Sequence, residues 1–295
     1  MPQPPEILQP ATPEVLAWLA AEAARGCTRP DTFAALRTAG WQPQSAAQVM
    51  ALTPEERDAL GVPPMEVTAE PPVAVPVPVP VYCATEAGGW VVQGGDQPVA
   101  VLQRSESPAV TVFADLLSAE ECDALIDAAR PRLSASLTVD TQTGGEELHA
   151  DRTSQGMFFS RGENAVVARV EARIATLLGW PLENGEGLQI LRYPPGAQYR
   201  PHYDYFDPGE PGTPAILARG GQRVATLIIY LFEPEAGGAT IFPDIGLSVA
   251  PRRGHAVFFS YGQAHPASLS LHGGEPVTRG EKWIATKWLR EREFQ

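Results

Sequence analysis

The sequence has few cysteines, a deficit of basic side chains and no long apolar run. Its three cysteines, Cys27, Cys83 and Cys122, lie far apart and form no Cys-x-x-Cys pair. That spacing argues against a disulfide framework and against a zinc site built from thiolates. Because no run of eighteen or more apolar residues occurs, a membrane span is not expected. The first residues also lack the basic stretch and apolar core of a secretory signal, so we expect a cytoplasmic protein.

The charge balance bears on the kind of partner. The chain has 35 acidic and 22 basic side chains among 295 residues, for a formal net charge of −13. Nucleic-acid binders use basic surfaces to neutralise phosphates and release counterions, so no nucleic-acid partner is expected. A neutral or basic peptide is a better match to an acidic surface.

Composition divides the chain into three segments. Residues 1–65 contain helix signals, including a capping box at residues 53–56, and are predicted to form a small helical module, a candidate for binding a protein partner. Residues 66–80 read EVTAEPPVAVPVPVP, and proline disfavours a helix both at its own position and at the one before it. We therefore expect an extended linker there, followed by a larger domain over residues 81–295.

The larger domain is predicted to be α+β. A capping box at residues 118–121 and apolar spacing over residues 165–178 predict two helices. Short β-rich runs then follow between Gly and Pro clusters: LQILRY, ATLIIYL, ATIFP, HAVFFSY and WIATKWL. Helices followed by several short strands indicate a β-sandwich or jelly-roll core with flanking helices.

A His-x-Asp pair, His202 and Asp204, follows the first of these runs. In an extended segment, residues i and i+2 point to the same side, so both side chains can reach one ion. Two imidazoles and one carboxylate leave open positions on a metal, which is the facial triad of non-haem iron(II) oxygenases. The pair alone is also typical of a hydrogen-bonded surface turn. The second imidazole has two candidates, His265 and His272.

The motifs around this pair resemble, in order, those of the prolyl 4-hydroxylase family of Fe(II)- and 2-oxoglutarate-dependent dioxygenases. They are Tyr193-Pro-Pro-Gly-Ala-Gln-Tyr199-x-x-His202-x-Asp204, Arg223-Val-Ala-Thr226-Leu-Ile-Ile-Tyr230-Leu, Gly237-Gly238-Ala-Thr240-Ile-Phe242-Pro243, Pro251-x-x-Gly254-x-Ala-Val-Phe-Phe259, and His272-x-x-x-Pro276-Val277-x-x-Gly280-x-Lys282-Trp283. The ordered set is far more specific than any one motif. The resemblance spans residues 110–290 and none of the first 65.

The resemblance implies a double-stranded β-helix core and an oxidative reaction. Members of the family use Fe(II), 2-oxoglutarate and dioxygen to hydroxylate an unactivated C–H, releasing succinate and carbon dioxide. Ascorbate is a candidate reductant for such an enzyme. The expected substrate is a prolyl residue of a peptide or protein, with proline-rich chains as candidates.

The resemblance also implies site residues. It assigns the metal to His202, Asp204 and His272, and it favours His272 over His265 because only His272 has the Pro-Val pair and Lys282 at family spacing.

The remaining assignments concern the co-substrate and the substrate. Lys282 is expected to bind the far carboxylate of 2-oxoglutarate, because an ammonium supplies both charge and hydrogen-bond donors. Tyr193 and Thr226 resemble the other contacts to that carboxylate, and Trp288 matches a family tryptophan near the substrate.

Other functions remain open at this point. A hydroxylase of another amino-acid side chain, or of a free amino acid, would share all of these motifs. A zinc hydrolase could use the same three ligands, but nothing in the sequence nominates a general base, and Lys282 would go unexplained. An inactive binding module is disfavoured because all three candidate ligands are intact. A nucleic-acid demethylase is disfavoured by the net charge of −13.

Overall fold

The computed structural model describes residues 13–41, 43–50, 52–62, 74–86, 88–135, 137–139, 146–148 and 153–295. The chain divides into two compact units, Met1–Glu70 and Pro71–Gln295. No helix within these described ranges is both long and apolar enough to cross a bilayer.

The first unit consists of short helices where the sequence predicts a helical module. They are α1 (Pro13–Ala24), α2 (Arg29–Thr38), α3 (Pro43–Val49) and α4 (Pro54–Ala59). The predicted capping box opens α4, since Thr53 and Glu56 each accept a hydrogen bond from the other's backbone N–H. A small apolar core holds the unit together, and its buried members are Phe33, Leu36, Ala46, Ala47, Met50, Leu52 and Val62.

Among the described residues, the second unit contains the remaining α-helices and all of the strands. Its helices are α5 (Ala119–Ala129), α6 (Ala165–Leu178) and α7 (Thr213–Ala218). Its strands are β1 (Tyr82–Ala84), β2 (Trp90–Gln93), β3 (Pro98–Glu106), β4 (Ala109–Ala114), β5 (Ser134–Ala135), β6 (Leu137–Val139), β7 (Glu146–Leu148), β8 (Gln155–Phe159), β9 (Leu188–Tyr193), β10 (Tyr199–His202), β11 (Arg223–Phe232), β12 (Ala236–Gly237), β13 (Thr240–Phe242), β14 (Leu247–Val249), β15 (Ala256–Ser260), β16 (His272–Gly274), β17 (Val277–Arg279) and β18 (Lys282–Arg290). The predicted capping box at Ser118 starts α5, and α6 has the predicted bounds.

Two antiparallel sheets form the core of this unit, which confirms the predicted jelly-roll class. The large sheet has the order β1-β2-β3-β4-β15-β11-β18-β9-β8-β5, and the small sheet has the order β10-β16-β13-β14. Side chains alternate between the two faces of each strand. On β11, Leu227 and Ile229 therefore belong to the core cluster that contains residues of α5 and α6, whereas Ile228 and Tyr230 belong to a second cluster with residues of the small sheet.

Part of the Pro/Val-rich segment packs on the second unit. The Val75 N–H donates to the Gly262 carbonyl at 2.8 Å. Val75 and Val77 lie against the core cluster that contains residues of α5 and α6, which we name the helix-side core. Pro78 and Pro80 are buried. Residues 66–73 of the predicted 66–80 linker lie outside the described ranges. The division into 1–65, 66–80 and 81–295 stays a prediction.

Candidate metal centre

Strand pairing brings the two histidines together. His202 ends β10, and His272 begins the neighbouring strand β16, where the two are register partners. Their ring centroids lie 4.4 Å apart. Asp204 follows His202 by two residues, and its carboxylate oxygens lie 3.6 Å from His202 Nε2 and 3.5 Å from His272 Nε2. One ligand atom from each residue lies within 4.8 Å of the other two.

Backbone hydrogen bonds orient both imidazoles. His202 Nδ1 lies 2.8 Å from the Arg200 carbonyl oxygen, and His272 Nδ1 lies 3.0 Å from the Ser270 carbonyl oxygen. A carbonyl can only accept, so the proton of each neutral ring is on Nδ1. Both Nε2 atoms are thereby left as lone-pair donors toward the same point.

The charge states also suit a metal. Burial lowers the pKa of His272 to about 4, so this ring is neutral at physiological pH. Burial would raise the pKa of the Asp204 carboxyl, but His272, His202 and Arg223 outweigh it and hold the pKa well below the usual range. The arrangement therefore presents two imidazole nitrogens and one carboxylate, without a thiolate. That donor set fits a non-haem Fe(II) centre with open coordination positions.

The cluster lies in the wall of a chamber between the two sheets. The chamber encloses about 420 Å³, including its open mouth. Its lining residues are Leu191, Tyr193, Tyr199, His202, Asp204, Ile228, Thr240, His272, Gly273, Gly274, Lys282, Ile284, Thr286 and Trp288. Among these, Asp204 is the sole carboxylate, so the lining offers no separate general base of the kind a zinc hydrolase needs.

Lys282 is a buried cation in this chamber. It is 2% exposed, and its ammonium donates to the Gly238 carbonyl at 2.7 Å. It also lies 4.7 Å from the ring centroid of its register partner on β9, Tyr193. Burial lowers the pKa of the Lys282 ammonium to about 8, with Glu275 offsetting part of the effect. A cation held this way can pair with a bound carboxylate.

The Thr226 hydroxyl lies against Asp204 rather than in the chamber lining. It is fully buried and is absent from the chamber lining. Its hydroxyl donates to Asp204 Oδ2 at 2.7 Å and lies 2.8 Å from the Tyr261 hydroxyl. The hydroxyl therefore lies behind the metal cluster, and its hydrogen bond orients the Asp204 carboxylate.

Two polar side chains of the lining, both inside the quoted family motifs, were given no role by the sequence reasoning. Thr240 on β13 is buried in the lining, and its hydroxyl accepts from the Tyr230 hydroxyl at 2.8 Å. Tyr199 stacks on His202 with ring centroids 3.7 Å apart. Both residues stand inside the quoted family motifs, so position in a motif was the available signal.

Trp288 and His265 occupy contrasting places. Trp288 lines the chamber, and its expected place near a substrate stays a prediction. His265 caps a short turn, where its Nδ1 accepts from the Ala267 N–H at 3.1 Å. It is not part of the ligand cluster, so of the two candidate histidines the cluster contains His272.

Comparison with known proteins agrees with this geometry. The sequence profile of the family described as the 2OG-Fe(II) oxygenase superfamily matches residues 188–290. Probable prolyl 4-hydroxylase 3 of Arabidopsis thaliana is 40% identical over 234 residues, which cover 72% of this chain and 79% of the relative. Prolyl 4-hydroxylase 1 of the same plant is 43% identical over 207 residues, which cover 64% of this chain and 71% of the relative.

A solved structure is similar to part of this chain. The viral collagen prolyl hydroxylase of Paramecium Bursaria Chlorella virus-1, in its 2OG complex, is 31% identical. The alignment covers 61% of this chain and 95% of that chain, with a TM-score of 0.48.

Proposed function

The chain belongs to the prolyl 4-hydroxylase family of 2OG-Fe(II) oxygenases, and on that premise we propose that it hydroxylates a prolyl residue of a peptide or protein substrate. It is a 2-oxoglutarate-dependent dioxygenase that uses Fe(II). One observation carries the proposal for the site. A two-histidine, one-carboxylate cluster and a buried lysine line the same chamber.

In the proposed reaction, one set of residues binds the metal and another residue binds the co-substrate. His202, Asp204 and His272 hold the iron. Bound together, iron, 2-oxoglutarate and dioxygen supply the oxidising power for C–H hydroxylation, with release of succinate and carbon dioxide. Lys282 binds the far carboxylate of 2-oxoglutarate and so orients it toward the metal.

The other lining residues shape the chamber. Tyr193 lies beside the Lys282 ammonium and offers a hydroxyl to the same carboxylate. The apolar side chains of Leu191, Ile228 and Ile284 line the chamber and exclude water from the reacting groups. Trp288 forms the part of the wall proposed to face the substrate.

A direct assay tests the proposal. Purified protein is incubated with Fe(II), 2-oxoglutarate, oxygen and a proline-rich peptide, and mass spectrometry is expected to show one added oxygen atom on proline with formation of succinate. Other peptides and free amino acids distinguish a hydroxylase of different specificity. If iron and 2-oxoglutarate together produce neither a product nor their visible charge-transfer band, the proposed function is wrong.

Finer assignments also belong to the proposal. Ascorbate is the proposed reductant that restores Fe(II), and proline-rich chains are the proposed peptide class. A protein partner for the helical unit of residues 1–65 and a cytoplasmic location stay predictions from the sequence.

The lowered pKa of Lys282 predicts a pH dependence. Only the protonated ammonium binds a carboxylate well, and burial lowers its pKa to about 8. As the pH rises through that value the free enzyme loses the proton, so kcat/KM for 2-oxoglutarate should fall, approaching about tenfold per pH unit. The measurement is kcat/KM for 2-oxoglutarate between about pH 6.5 and 9.5.

The control for this prediction is Lys282→Arg. A guanidinium stays charged over the whole range, so the descending limb should disappear even if KM is higher throughout. A limb of unchanged position in this variant would mean that another group titrates.

Replacing the hydroxyl of Thr226 or of Thr240 by a methyl group should affect two different quantities, namely metal affinity for Thr226 and the KM for 2-oxoglutarate for Thr240. Thr226→Val removes the hydrogen bond to Asp204, so metal affinity should fall by about 10- to 100-fold while the KM for 2-oxoglutarate at saturating iron stays unchanged. Thr240→Val removes a chamber hydroxyl, so the KM should rise while iron binding is preserved. Iron titration and steady-state kinetics measure the two effects. The reverse pattern would return the co-substrate contact to Thr226.

A further inference from the structure

A row of five side chains leads from the chamber wall to the last residues of the chain. In order, they are Trp288, Arg223, Phe206, Arg290 and Phe294. The Arg223 guanidinium lies 4.0 Å from the Trp288 ring centroid and 4.7 Å from that of Phe206. The Arg290 guanidinium lies 4.9 Å from the Phe206 ring centroid and 5.1 Å from that of Phe294. Aromatic rings and cations thus alternate, and we name this row the cation–aromatic stack.

One carboxylate serves both cations of the stack. Glu186 accepts from Arg223 at 2.7 and 3.0 Å, and its Oε1 lies 2.9 Å from Arg290 Nε. All three residues are less than 10% exposed. Burial opposes ionisation of Glu186, but Arg223 outweighs it and lowers the pKa of that carboxyl. Two cations share Glu186, so the two guanidinium groups still repel each other, although Asp204 also attracts Arg223. The Phe206 ring centroid lies 4.7 Å from one guanidinium and 4.9 Å from the other, and its attraction for both reduces that repulsion.

Phe206 also belongs to the segment that carries the metal cluster. It follows Asp204 by two residues. The Gln222 side-chain amide holds its backbone on both sides, accepting from the Phe206 N–H at 2.8 Å and donating to the Phe206 carbonyl at 2.7 Å. Arg223 Nη1 lies 3.4 Å from the Asp204 carbonyl oxygen. The centre of the stack is therefore tied to the chain beside the Asp204 carboxylate.

At the chamber end, the stack terminates on an indole whose N–H has no hydrogen-bond partner among the described residues. Trp288 is 7% exposed, and its Nε1 is one of the buried polar side-chain atoms for which the described part of the protein provides no hydrogen-bond partner. A buried donor of this kind is costly unless a bound molecule accepts from it. The Trp288 ring contacts Arg223, at 4.0 Å from its centroid, and Phe158, with ring centroids 6.4 Å apart, so ring contacts rather than a hydrogen bond orient the indole plane.

We propose that the cation–aromatic stack positions the Trp288 indole at the chamber wall, and that Phe206 is its central positioning residue. The inference rests on the proposed function, since the molecule that meets Trp288 is the substrate or co-substrate of that reaction. Phe206 touches neither. It acts through Arg223, which lies against the Trp288 ring.

The coupling of the reaction tests this role. In the Phe206→Leu variant the ring that contacts both guanidinium groups is lost, so Trp288 loses its fixed orientation. We expect more 2-oxoglutarate to be consumed without hydroxylation. The ratio of succinate formed to hydroxyproline formed should rise about three- to tenfold, the effect of one or two cation–aromatic contacts of this kind. This ratio does not depend on the fraction of folded enzyme, so a loss of stability alone leaves it unchanged.

Two further variants separate positioning from packing. Phe113→Leu makes the same change in the helix-side core, where Phe113 is fully buried, and it should lower the melting temperature without changing the ratio. Phe206→Tyr keeps an aromatic ring and should restore the ratio to near that of the parent protein. An equal rise of the ratio in the Phe113→Leu variant would contradict a specific role of the stack.

A second readout is independent of turnover. The six tryptophans give six indole N–H resonances in the ¹⁵N-labelled, Zn(II)-loaded protein, and the Trp288→Phe variant identifies the signal of Trp288. Phe206→Leu should shift or broaden that signal, and Phe113→Leu should leave it in place. If Phe206→Leu leaves both the signal and the ratio unchanged, the proposed stack role is overturned. If the signal moves but the parent protein hydroxylates nothing, the stack role stands and the proposed function fails.

Discussion

The His272→Ala variant is expected to lose tight iron binding and almost all hydroxylation, with kcat lower by more than about 100-fold. Outer hydrogen-bond partners of metal ligands already contribute about 10- to 100-fold, so removal of a ligand should cost more. His272 provides one of the two imidazole nitrogens of the cluster and is 3% exposed, so water replaces it poorly. Iron content after desalting and product formation at saturating Fe(II) are the two measurements.

His265→Ala is the matched control for this prediction. It makes the same chemical change at a histidine that caps a turn, outside the ligand cluster. Its iron content and kcat should remain within about twofold of the parent protein, because a lost cap changes stability rather than chemistry. Full activity of the His272→Ala variant, or loss of iron from the His265→Ala variant, would contradict the assignment of His272 as the metal ligand.

The Lys282→Met variant should need much more 2-oxoglutarate while still binding iron. The change keeps the length of the side chain but removes the buried charge that faces the chamber. A lost charge-assisted hydrogen bond is worth about 1.5–3 kcal/mol, so the KM for 2-oxoglutarate should rise roughly 10- to 100-fold. Steady-state kinetics over a wide range of 2-oxoglutarate, with iron binding measured in parallel, would separate the two effects.

A nearby cation outside the chamber provides the control. Arg279→Met removes a positive charge three positions before Lys282, at an exposed ion pair with Glu235. Exposed pairs of this kind contribute little, so this variant should retain the parent KM. An unchanged KM in Lys282→Met, or an equal rise in Arg279→Met, would remove Lys282 from its proposed role.

Local patterns explain which parts of the fold the sequence could predict. The capping boxes at residues 53–56 and 118–121 and the apolar spacing over residues 165–178 involve neighbours within one or two helical turns, and each is present as predicted. The His-x-Asp pair is local in the same sense. Its two side chains depend on backbone only two residues long, so their approach could be predicted before any sheet was known.

Contacts between distant strands could not be predicted in this way. His272 joins a residue 70 positions away because β10 and β16 pair in one particular register, and a shift by one residue would turn it to the other face. The spacing relative to Lys282 identified it only through resemblance to a family. Resemblance to the family did not indicate the hydrogen bond from the Thr226 hydroxyl to Asp204, because that contact also joins distant parts of the chain.

Short-range spacing in the sequence determined the predicted helices and the approach of His202 and Asp204, whereas the class of protein and the rest of the ligand set were indicated by resemblance to a family. Only the tertiary structure decided that His272 completes the cluster, that Thr240 rather than Thr226 lines the chamber, and which side chains contact Trp288. The alternation of Phe206 and Phe294 with two arginines leaves no periodic trace in the chain. Its members come from three separate parts of the chain, namely Phe206, Arg223 and residues 288–294, and they meet only after the large sheet and the last residues have packed together. Such contacts depend on the register and packing of the whole fold, which no local pattern specifies.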